Sequence, residues 1–433
     1  MTMSDNKLVT NRRNMLLGVG VAGSVLAAGL TTARAAEKQG EQVTDAPVSD
    51  KTQERQSFYG AHQAGIVTPR PAAGMIASFH VLAKTPEDVE RLFKTLSSRI
   101  AFLMKGGTPA QLDDKLPPSD SGLLGPVVPP DNLTMTVSLG SSFFDQRDWL
   151  RPHKPARLSR MKAFRNDALD ADLCHGDLAL QICSNTPDTN IHALRDILKN
   201  LPDLMVLRWK QEGSVPVLPP KPDGSHESAR NFLGFRDGSA NPDANKAELM
   251  DKIVWVPKEG DEPAWAHGGT YQAVRIIRNF VERWDRTPLG EQERIIGRKK
   301  ATGSPFGGHT EHDVPDYSKD PEGTVTPLDA HIRMANKRTA SSDANLILRR
   351  PFNYSNGVSK SGQLEQGLLF ICYQADLEKG FITVQNQLNG EPLEEYIKPI
   401  GGGFFFTPPG PSDESDFVGR TLLEAAGHKV ART

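Results

Sequence analysis

The sequence predicts an α+β fold made of two ferredoxin-like halves with antiparallel sheets. Between residues 75 and 210, strand-type and helix-type segments follow the order strand, helix, strand, strand, helix, strand, which is the split β-α-β arrangement. A weaker version of this order recurs between residues 269 and 406. A chain of 433 residues also exceeds one usual hydrophobic core, which favours two domains or an internal duplication.

The amino terminus has the pattern of an export signal. The pair Arg12-Arg13 precedes an apolar, glycine-rich run at residues 19–30, and an A-x-A cleavage pattern ends at Ala35. We therefore predict that residues 1–35 are a twin-arginine signal peptide, which directs a folded protein to the periplasm. The alternative, a membrane helix, is weaker because the run is short and rich in glycine. Residues 36–57 are polar and without periodicity, which predicts a flexible leader.

Charge and cysteine content exclude several classes of protein. Without residues 1–35, 47 of the 51 basic and 52 of the 53 acidic residues remain, a formal net charge of −5. This balance does not favour nucleic acid as a partner. No later apolar run reaches the length of a membrane span. The chain has three cysteines, Cys174, Cys183 and Cys372, and two of them lie in strand-like runs. Because the number is odd and these runs are apolar, we expect buried free thiols rather than a disulfide framework.

The first half, residues 58–215, begins with an apolar strand at residues 75–82. Thr85 followed by Pro86 is a helix-start pattern, and Thr186 followed by Pro187 repeats it. Strict alternation of apolar residues predicts strands from Leu133 and from Leu178, and residues 204–210 predict a fourth.

A stretch rich in proline, glycine and charge, residues 211–230, predicts a linker to the second half, residues 231–433. The segments predicted there are a strand at 269–278, a helix after Pro288, a long insertion at 298–342, a short strand at 344–348, a strand at 367–373, a helix at 377–388 and a strand at 403–406.

One carboxylate, Asp237, follows an apolar run and opens a turn rich in small residues at 238–242. Glycine in such a turn lets the backbone approach a bound group closely. Asp-Gly is also a common turn pair, so a turn-capping role and an acid/base role both remain open on local grounds.

A single histidine, His331, lies among aliphatic residues with Arg333 and Arg338 close by. It is either a structural histidine or an axial ligand of haem iron, with arginines facing the propionates. The histidines and acids of residues 309–313 predict a solvated polar loop, because their spacing does not aim two imidazoles at one ion. Arg349 and Arg350 end an apolar run, and strand alternation should send them to opposite faces.

In order along the chain, these features resemble the dye-decolourising (DyP-type) peroxidase family. Residues 234–238 match its G-x-x-D-G motif, and a histidine follows about ninety residues later, with an arginine soon after it. Residues 58–66, 174–177 and 401–404 narrow the resemblance to the haem-binding deferrochelatase branch, which belongs to a bacterial iron-uptake system.

The resemblance implies one haem b per chain, held in the C-terminal half. His331 corresponds to the proximal iron ligand, Asp237 to the distal carboxylate and Arg349 to the distal arginine. The segments that correspond to haem contacts contain Gly238, Ser239, Ala240, Asn336, Lys337 and Arg338. Lys337 replaces a usual proline, and Pro351 replaces a usual glycine.

The predicted function is a haem peroxidase that uses hydrogen peroxide, with haem or a bulky reductant as the second substrate. Asp237 would act as general acid and base, and Arg349 would stabilise developing negative charge. A carboxylic acid of reference pKa about 3.9 remains a base in mild acid, so we expect an acidic optimum. Iron release from haem with an intact tetrapyrrole is a second expected activity. Haem storage or delivery without turnover is the alternative, and partners among iron-uptake proteins and a homo-oligomer both remain open.

Overall fold

The computed structural model of the chain describes residues 51–219 and 227–430. The predicted signal peptide and residues 36–50 of the leader lie outside this part. Residues 51–57 of the leader contact the body of the protein, because the backbone N–H groups of Asp131 and Asn132 donate to the Thr52 and Glu54 carbonyls.

The strands follow the predicted order, and most boundaries move by a few residues. In chain order they are β1 (Ala73–Val81), β2 (Thr134–Gly140), β3 (Leu178–Ser184), β4 (Met205–Ser214), β5 (Thr270–Asn279), β6 (Leu348–Arg349), β7 (Phe352–Val358), β8 (Leu364–Gln374) and β9 (Ile397–Thr407).

The helices begin where the sequence signals predict them. The Thr85 side chain caps the first helix by accepting a hydrogen bond from the Asp88 N–H, and the helix buries an apolar face. In chain order the helices are α1 (Pro86–Lys105), α2 (Ser141–Asp145), α3 (Pro187–Asn200), α4 (Ala247–Ile253), α5 (Val281–Trp284), α6 (Leu289–Ile296), α7 (His331–Ala335), α8 (Thr383–Gln387) and α9 (Arg420–Ala425).

The strand pairing confirms two ferredoxin-like halves and shows that their strands belong to one continuous sheet. In the first half, the strand order is β2-β3-β1-β4, and in the second half β5 lies between β9 and β8. All the described pairings between strands are antiparallel. The halves meet at two edges, where β2 pairs with β9 and β4 pairs with β7. The paired strands therefore close into a ring with a shared interior.

Apolar side chains from eight of these strands fill that interior. Its members include Ile76, Trp209, Val274, Phe352 and Tyr373, which come from five different strands and are almost completely buried. A larger cluster contains the apolar face of α1 and outer residues of the sheet. The three cysteines are buried and unpaired, as predicted.

Four sequence predictions, for the linker and the second half of the chain, were wrong or incomplete. Residues 340–345 form a 3-10 turn, and the strand predicted at 344–348 is displaced to β6. Strand β7 was not predicted, because its outer residues are polar and it follows Pro351. The helix at 377–388 begins with a π-helical segment over Glu378–Ile382. The first four residues of the predicted linker, 211–214, belong to β4.

None of the helices in the described part of the chain combines the length and apolar character that a bilayer crossing requires.

Candidate functional site

The segment that carries Asp237 is a small hairpin. An antiparallel β-bridge joins the backbones of Arg230 and Arg236, and the Asp237 N–H donates a hydrogen bond of 2.9 Å to the Ala229 carbonyl. Phe235 is buried, and its ring packs edge-on against Trp284 at 6.0 Å between centroids. The apolar run that precedes Asp237 therefore anchors the hairpin, and the carboxylate lies where the hairpin ends.

The turn after Asp237 is held by a residue from the long insertion. Glu311 accepts hydrogen bonds from the Ser239 hydroxyl at 2.8 Å and from the Ser228 N–H at 3.1 Å. Burial raises the pKa of Glu311, but the bonds from Ser239 and Ser228 outweigh burial and leave it below its usual value. Gly238 has no room for a side chain, because a Cβ there would lie 2.8 Å from Ser228 Oγ.

The structure brings Arg349 to Asp237. Arg349 Nη1 donates a hydrogen bond of 2.8 Å to Asp237 Oδ1, and both side chains are partly accessible. Asn241 fixes the Arg349 backbone from both sides, since the Arg349 N–H donates to Asn241 Oδ1 at 2.8 Å and Asn241 Nδ2 donates to the Arg349 carbonyl at 2.9 Å. Arg350 donates instead to the Thr68 and Pro69 carbonyls. The two adjacent arginines thus have separate hydrogen-bond partners, although both border one cavity beside Asp237, because the strand ends at Arg349 and its alternation does not extend to Arg350.

His331 is the first residue of α7, and a buried acid holds it. Its Nδ1 lies 2.6 Å from Glu391 Oε2, and the Glu391 side chain is 4% exposed. A third of the His331 side chain remains accessible, and in the described structure its second nitrogen, Nε2, makes no hydrogen bond. A carboxylate bonded to one ring nitrogen fixes the imidazole and leaves the other available to a metal. Glu391 has no motif of its own and was not predicted.

Electrostatics link His331 with the Asp237–Arg349 pair. Burial lowers the pKa of His331, Glu391 more than reverses this effect, and the net pKa is raised. Arg349 lowers the same pKa and Asp237 raises it. Coulomb interactions of this kind act over short distances, so the histidine and the pair border the same region.

The residues after α7 differ in their surroundings. Asn336 accepts hydrogen bonds from the Arg338 N–H and the Ser342 hydroxyl, and Lys337 is exposed. Arg338 has a left-handed backbone with φ of 56°. Its Nε is buried and has no hydrogen-bond partner among the described residues. Burial lowers the pKa of the neighbouring Arg298, and the charges of Arg338 and Arg349 add to that effect.

Two further predicted features have structural roles. Arg333 donates hydrogen bonds to the side chain and the carbonyl of Asp320, and its guanidinium lies 4.7 Å from the centre of the Tyr317 ring. These contacts hold Arg333 in a structural role. In the polar loop at 309–313, Asp313 accepts hydrogen bonds from the backbone N–H groups of its own turn. Glu311 of that loop instead supports Ser239.

These residues fit the haem that the sequence resemblance implies. His331 offers one free ring nitrogen, and the buried Nε of Arg338 lacks an acceptor. Iron takes an imidazole nitrogen, and an arginine fork suits the carboxylates of propionates. The donor set therefore matches a haem on chemical grounds. Ser239 and Ala240 lie in the turn after Asp237, with Ala240 exposed.

Comparison with known proteins gives matches along nearly the whole chain. Residues 63–214 match the family model "Dyp-type peroxidase, N-terminal", and residues 228–412 match "Dyp-type peroxidase, C-terminal". The deferrochelatase of Yersinia pseudotuberculosis is 53% identical over 422 residues, which cover 97% of this chain and 96% of that protein. The deferrochelatase of Escherichia coli O6:K15:H31 is 55% identical over 414 residues, which cover 95% of this chain and 97% of that protein.

Among solved structures, the DyP-type peroxidase of Streptomyces coelicolor superimposes with a TM-score of 0.78 and 32% sequence identity. The match covers 88% of this chain and 100% of that one. The closed ring of strands and the sequence matches agree, and the chain belongs to the DyP-type peroxidase family.

Proposed function

We propose that this protein is a haem b-dependent peroxidase of the DyP type that consumes hydrogen peroxide and also acts as a deferrochelatase. The observation that carries the proposal is the hydrogen-bonded pair of Asp237 and Arg349, which borders the same region as the His331–Glu391 pair. One side thus offers a metal ligand, and the other offers an acid/base group with a fixed cation. This combination is the one that peroxide cleavage requires.

His331 and Glu391 would hold the cofactor. Glu391 keeps Nδ1 of the imidazole occupied, which directs Nε2 towards iron and increases the basicity of the ring. Arg338 would neutralise a propionate, and Gly238, Ser239, Ala240, Asn336 and Lys337 belong to the segments proposed to lie along the macrocycle. When bound, haem supplies the iron at which peroxide reacts and the electrons for its reduction.

Asp237 would move the proton. Its carboxylate takes a proton from one oxygen of peroxide and returns it to the other oxygen, which leaves as water. Arg349 already donates a hydrogen bond to Asp237 Oδ1, so the cation and the carboxylate are in place before peroxide arrives. The same guanidinium stabilises negative charge that develops on the peroxide oxygens. Asn241 and Glu311 act through these groups, by fixing the Arg349 backbone and the turn after Asp237.

The deferrochelatase activity is supported by relatives that carry this name and are 53% and 55% identical over nearly the full chain. In this reaction haem is the substrate, and iron leaves while the tetrapyrrole remains intact. The residues that bind the cofactor would also bind this substrate. Haem storage or delivery without turnover is the alternative function.

We also propose the cellular setting. Residues 1–35 would direct folded protein through the twin-arginine route to the periplasm, where iron-uptake proteins would be its partners. Two domains, residues 58–215 and 231–433, and a possible homo-oligomer belong to the same proposal.

The test is the visible spectrum of purified, haem-reconstituted protein before and after one equivalent of hydrogen peroxide. We expect a Soret band that changes on mixing and returns when a bulky reductant is added. Incubation with haem and a reductant, followed by pigment extraction, should yield iron-free protoporphyrin. A Soret band that does not respond to peroxide would favour storage or delivery. Loss of the pigment to linear products would contradict deferrochelatase activity.

A further inference from the structure

A cavity of about 320 Å³ lies beside Asp237, between the hairpin turn and the segment that precedes β1. Its wall contains Arg70, Arg349 and Arg350, together with the side chains of Asn241 and Asn245. Residues 66–69 contribute to the wall from the first half of the chain, and Ala244, Leu348 and Pro351 contribute from the second half. Arg70 also borders a second cavity that contains Asp237 and Gly238.

The wall of the first cavity carries more positive than negative charge. Three arginines and one carboxylate line the cavity, and the carboxylate, Asp237, already bonds to Arg349. Two acids lie just beyond the wall. Asp243 is exposed and bonds to Asn245, and Glu227 forms an ion pair with Arg236. The Cys183 thiol is buried next to Arg70 and Arg350, where burial raises its pKa.

The other two arginines of the wall, Arg70 and Arg350, donate hydrogen bonds to backbone carbonyls, and neither forms an ion pair with a carboxylate among the described residues. Arg70 Nη1 donates to the Pro351 carbonyl, and Arg350 donates to the Thr68 and Pro69 carbonyls. Arg350 is 5% exposed, and its Nε has no hydrogen-bond partner in the described structure. Burial lowers the pKa of Arg70, Asp237 acts in the opposite direction, and the charges of Arg350 and Arg349 add to the effect of burial, so that the net pKa is about 10. Carbonyl dipoles satisfy hydrogen bonds but do not neutralise charge, and a partly buried charge without a counter-ion is unfavourable.

We propose that this cavity binds a small oxyanion, such as sulfate, phosphate or a short carboxylate, with Arg70 as its main ligand and Arg350 as a second source of positive charge. Guanidinium forks bind tetrahedral and planar oxyanions through paired hydrogen bonds. A volume of about 320 Å³ corresponds to roughly ten water molecules at about 30 Å³ each, which is enough for such an ion and part of its hydration shell.

The cavity wall contains neither the proposed iron ligand His331 nor its partner Glu391, and it shares Gly238 with the segments proposed to contact the cofactor. It touches the proposed catalytic pair on one side, through Asp237 and Arg349. An anion bound there would place negative charge beside the Asp237–Arg349 pair without contacting the metal ligand. The proposal concerns anion binding alone, and it stands whether or not the protein turns over peroxide.

The experiment is calorimetric titration of the haem-loaded protein with sodium sulfate, compared with sodium chloride at matched ionic strength. Arg70→Gln removes the main ligand, and Arg70→Lys keeps the charge. Ala244→Phe places a large ring in the cavity wall and leaves every arginine present. Arg91→Gln is the matched control, because Arg91 is exposed on α1 and removing it lowers the net charge equally. The Soret spectrum and the circular dichroism of each variant report whether it folds.

We expect one saturable sulfate site with no change in the Soret band. Sulfate affinity should fall about tenfold or more in Arg70→Gln, the loss expected for one charge-assisted hydrogen bond. It should be lost in Ala244→Phe, be largely kept in Arg70→Lys and be unchanged in Arg91→Gln. Absence of saturable binding in the unmodified protein would overturn the proposal. Undiminished binding in folded Ala244→Phe, or an equal loss in Arg91→Gln and Arg70→Gln, would also overturn it.

Discussion

Asn241 and Arg349 are joined by two hydrogen bonds that pair the side-chain amide of one with both backbone groups of the other. These two hydrogen bonds of the Asn241 side chain connect the turn that carries Asp237 to the short strand β6, 108 residues further along the chain. Because Arg349 also bonds to Asp237 through its side chain, the turn and the strand are held together twice. The geometry of the proposed acid/base pair therefore exists before any ligand arrives.

Removal of the Asn241 amide should loosen this connection. We expect Asn241→Ala to lower the free energy of unfolding by about 1–3 kcal/mol, because it leaves two partly buried backbone groups of Arg349 without partners. The rate of reaction with peroxide should fall as well. Urea unfolding and stopped-flow absorbance measure the two effects. Asn386→Ala, on an exposed position of α8, is the control, and an equal effect of both substitutions would contradict the assigned role.

Asp237→Asn should separate haem binding from chemistry. The substitution keeps the size of the side chain and removes the base, so haem content should be unchanged while the peroxide rate falls about 10²–10⁴-fold. The measurements are the pyridine haem assay and stopped-flow mixing with peroxide. Asp243→Asn removes an exposed carboxylate from the same turn and should leave the rate unchanged. A normal rate in Asp237→Asn would rule out the acid/base role.

Glu391→Gln tests how His331 is held. The amide keeps a hydrogen-bond acceptor for Nδ1 but loses the negative charge that favours an electron-rich imidazole. We expect haem affinity to fall about 10–100-fold and the reduction potential to rise, since second-sphere partners tune both properties. Haem transfer to apomyoglobin and spectroelectrochemistry measure them. Glu395→Gln, on an exposed position of the same segment, should behave like the unmodified protein. His331→Ala should lose the haem, and full retention would refute the ligand assignment.

Glu311→Gln should change the pH dependence of stability. The pKa of Glu311 is lower in the folded protein than its ordinary value, so the ionised group stabilises the fold at pH values above that ordinary value. This contribution is lost as pH falls through the lowered folded-state pKa. The unmodified protein should therefore be more stable than Glu311→Gln at pH 7, and the difference should shrink below about pH 4. Denaturant unfolding at pH 7, 5 and 3.5 measures the difference. A constant difference across this range would contradict the electrostatic role.

Much of the site could be inferred from the sequence because its chemistry resides in a few residue types in a fixed order. Asp237, His331 and Arg349 stand in motifs or beside glycine and arginine neighbours that are visible without a structure. Helix starts such as Thr85-Pro86 could also be predicted from the sequence, because capping is a local interaction within one turn. In the first half, the strands at Leu133 and Leu178 follow from strict alternation of apolar residues along the chain.

Residues that act across long separations were not visible. Glu391 lies 60 positions from His331, and Glu311 lies 72 positions from Ser239. Neither acid has a local pattern, and each is defined only by the partner that folding brings to it. Strand β7 was missed for a related reason, because half of it is exposed and polar and its place depends on pairing with β4 and β8.

The sequence by itself thus determined the fold class of each half and the identity of the proposed catalytic side chains, and it predicts an export signal. Tertiary structure alone decided that the halves close into one ring, that Asn241 holds the backbone of Arg349, and that Glu391 supports His331. The physical reason is the range of the interactions. Periodicity, capping and turns are set by neighbours in sequence, whereas ring closure and paired charges depend on contacts between segments that only the folded chain brings together.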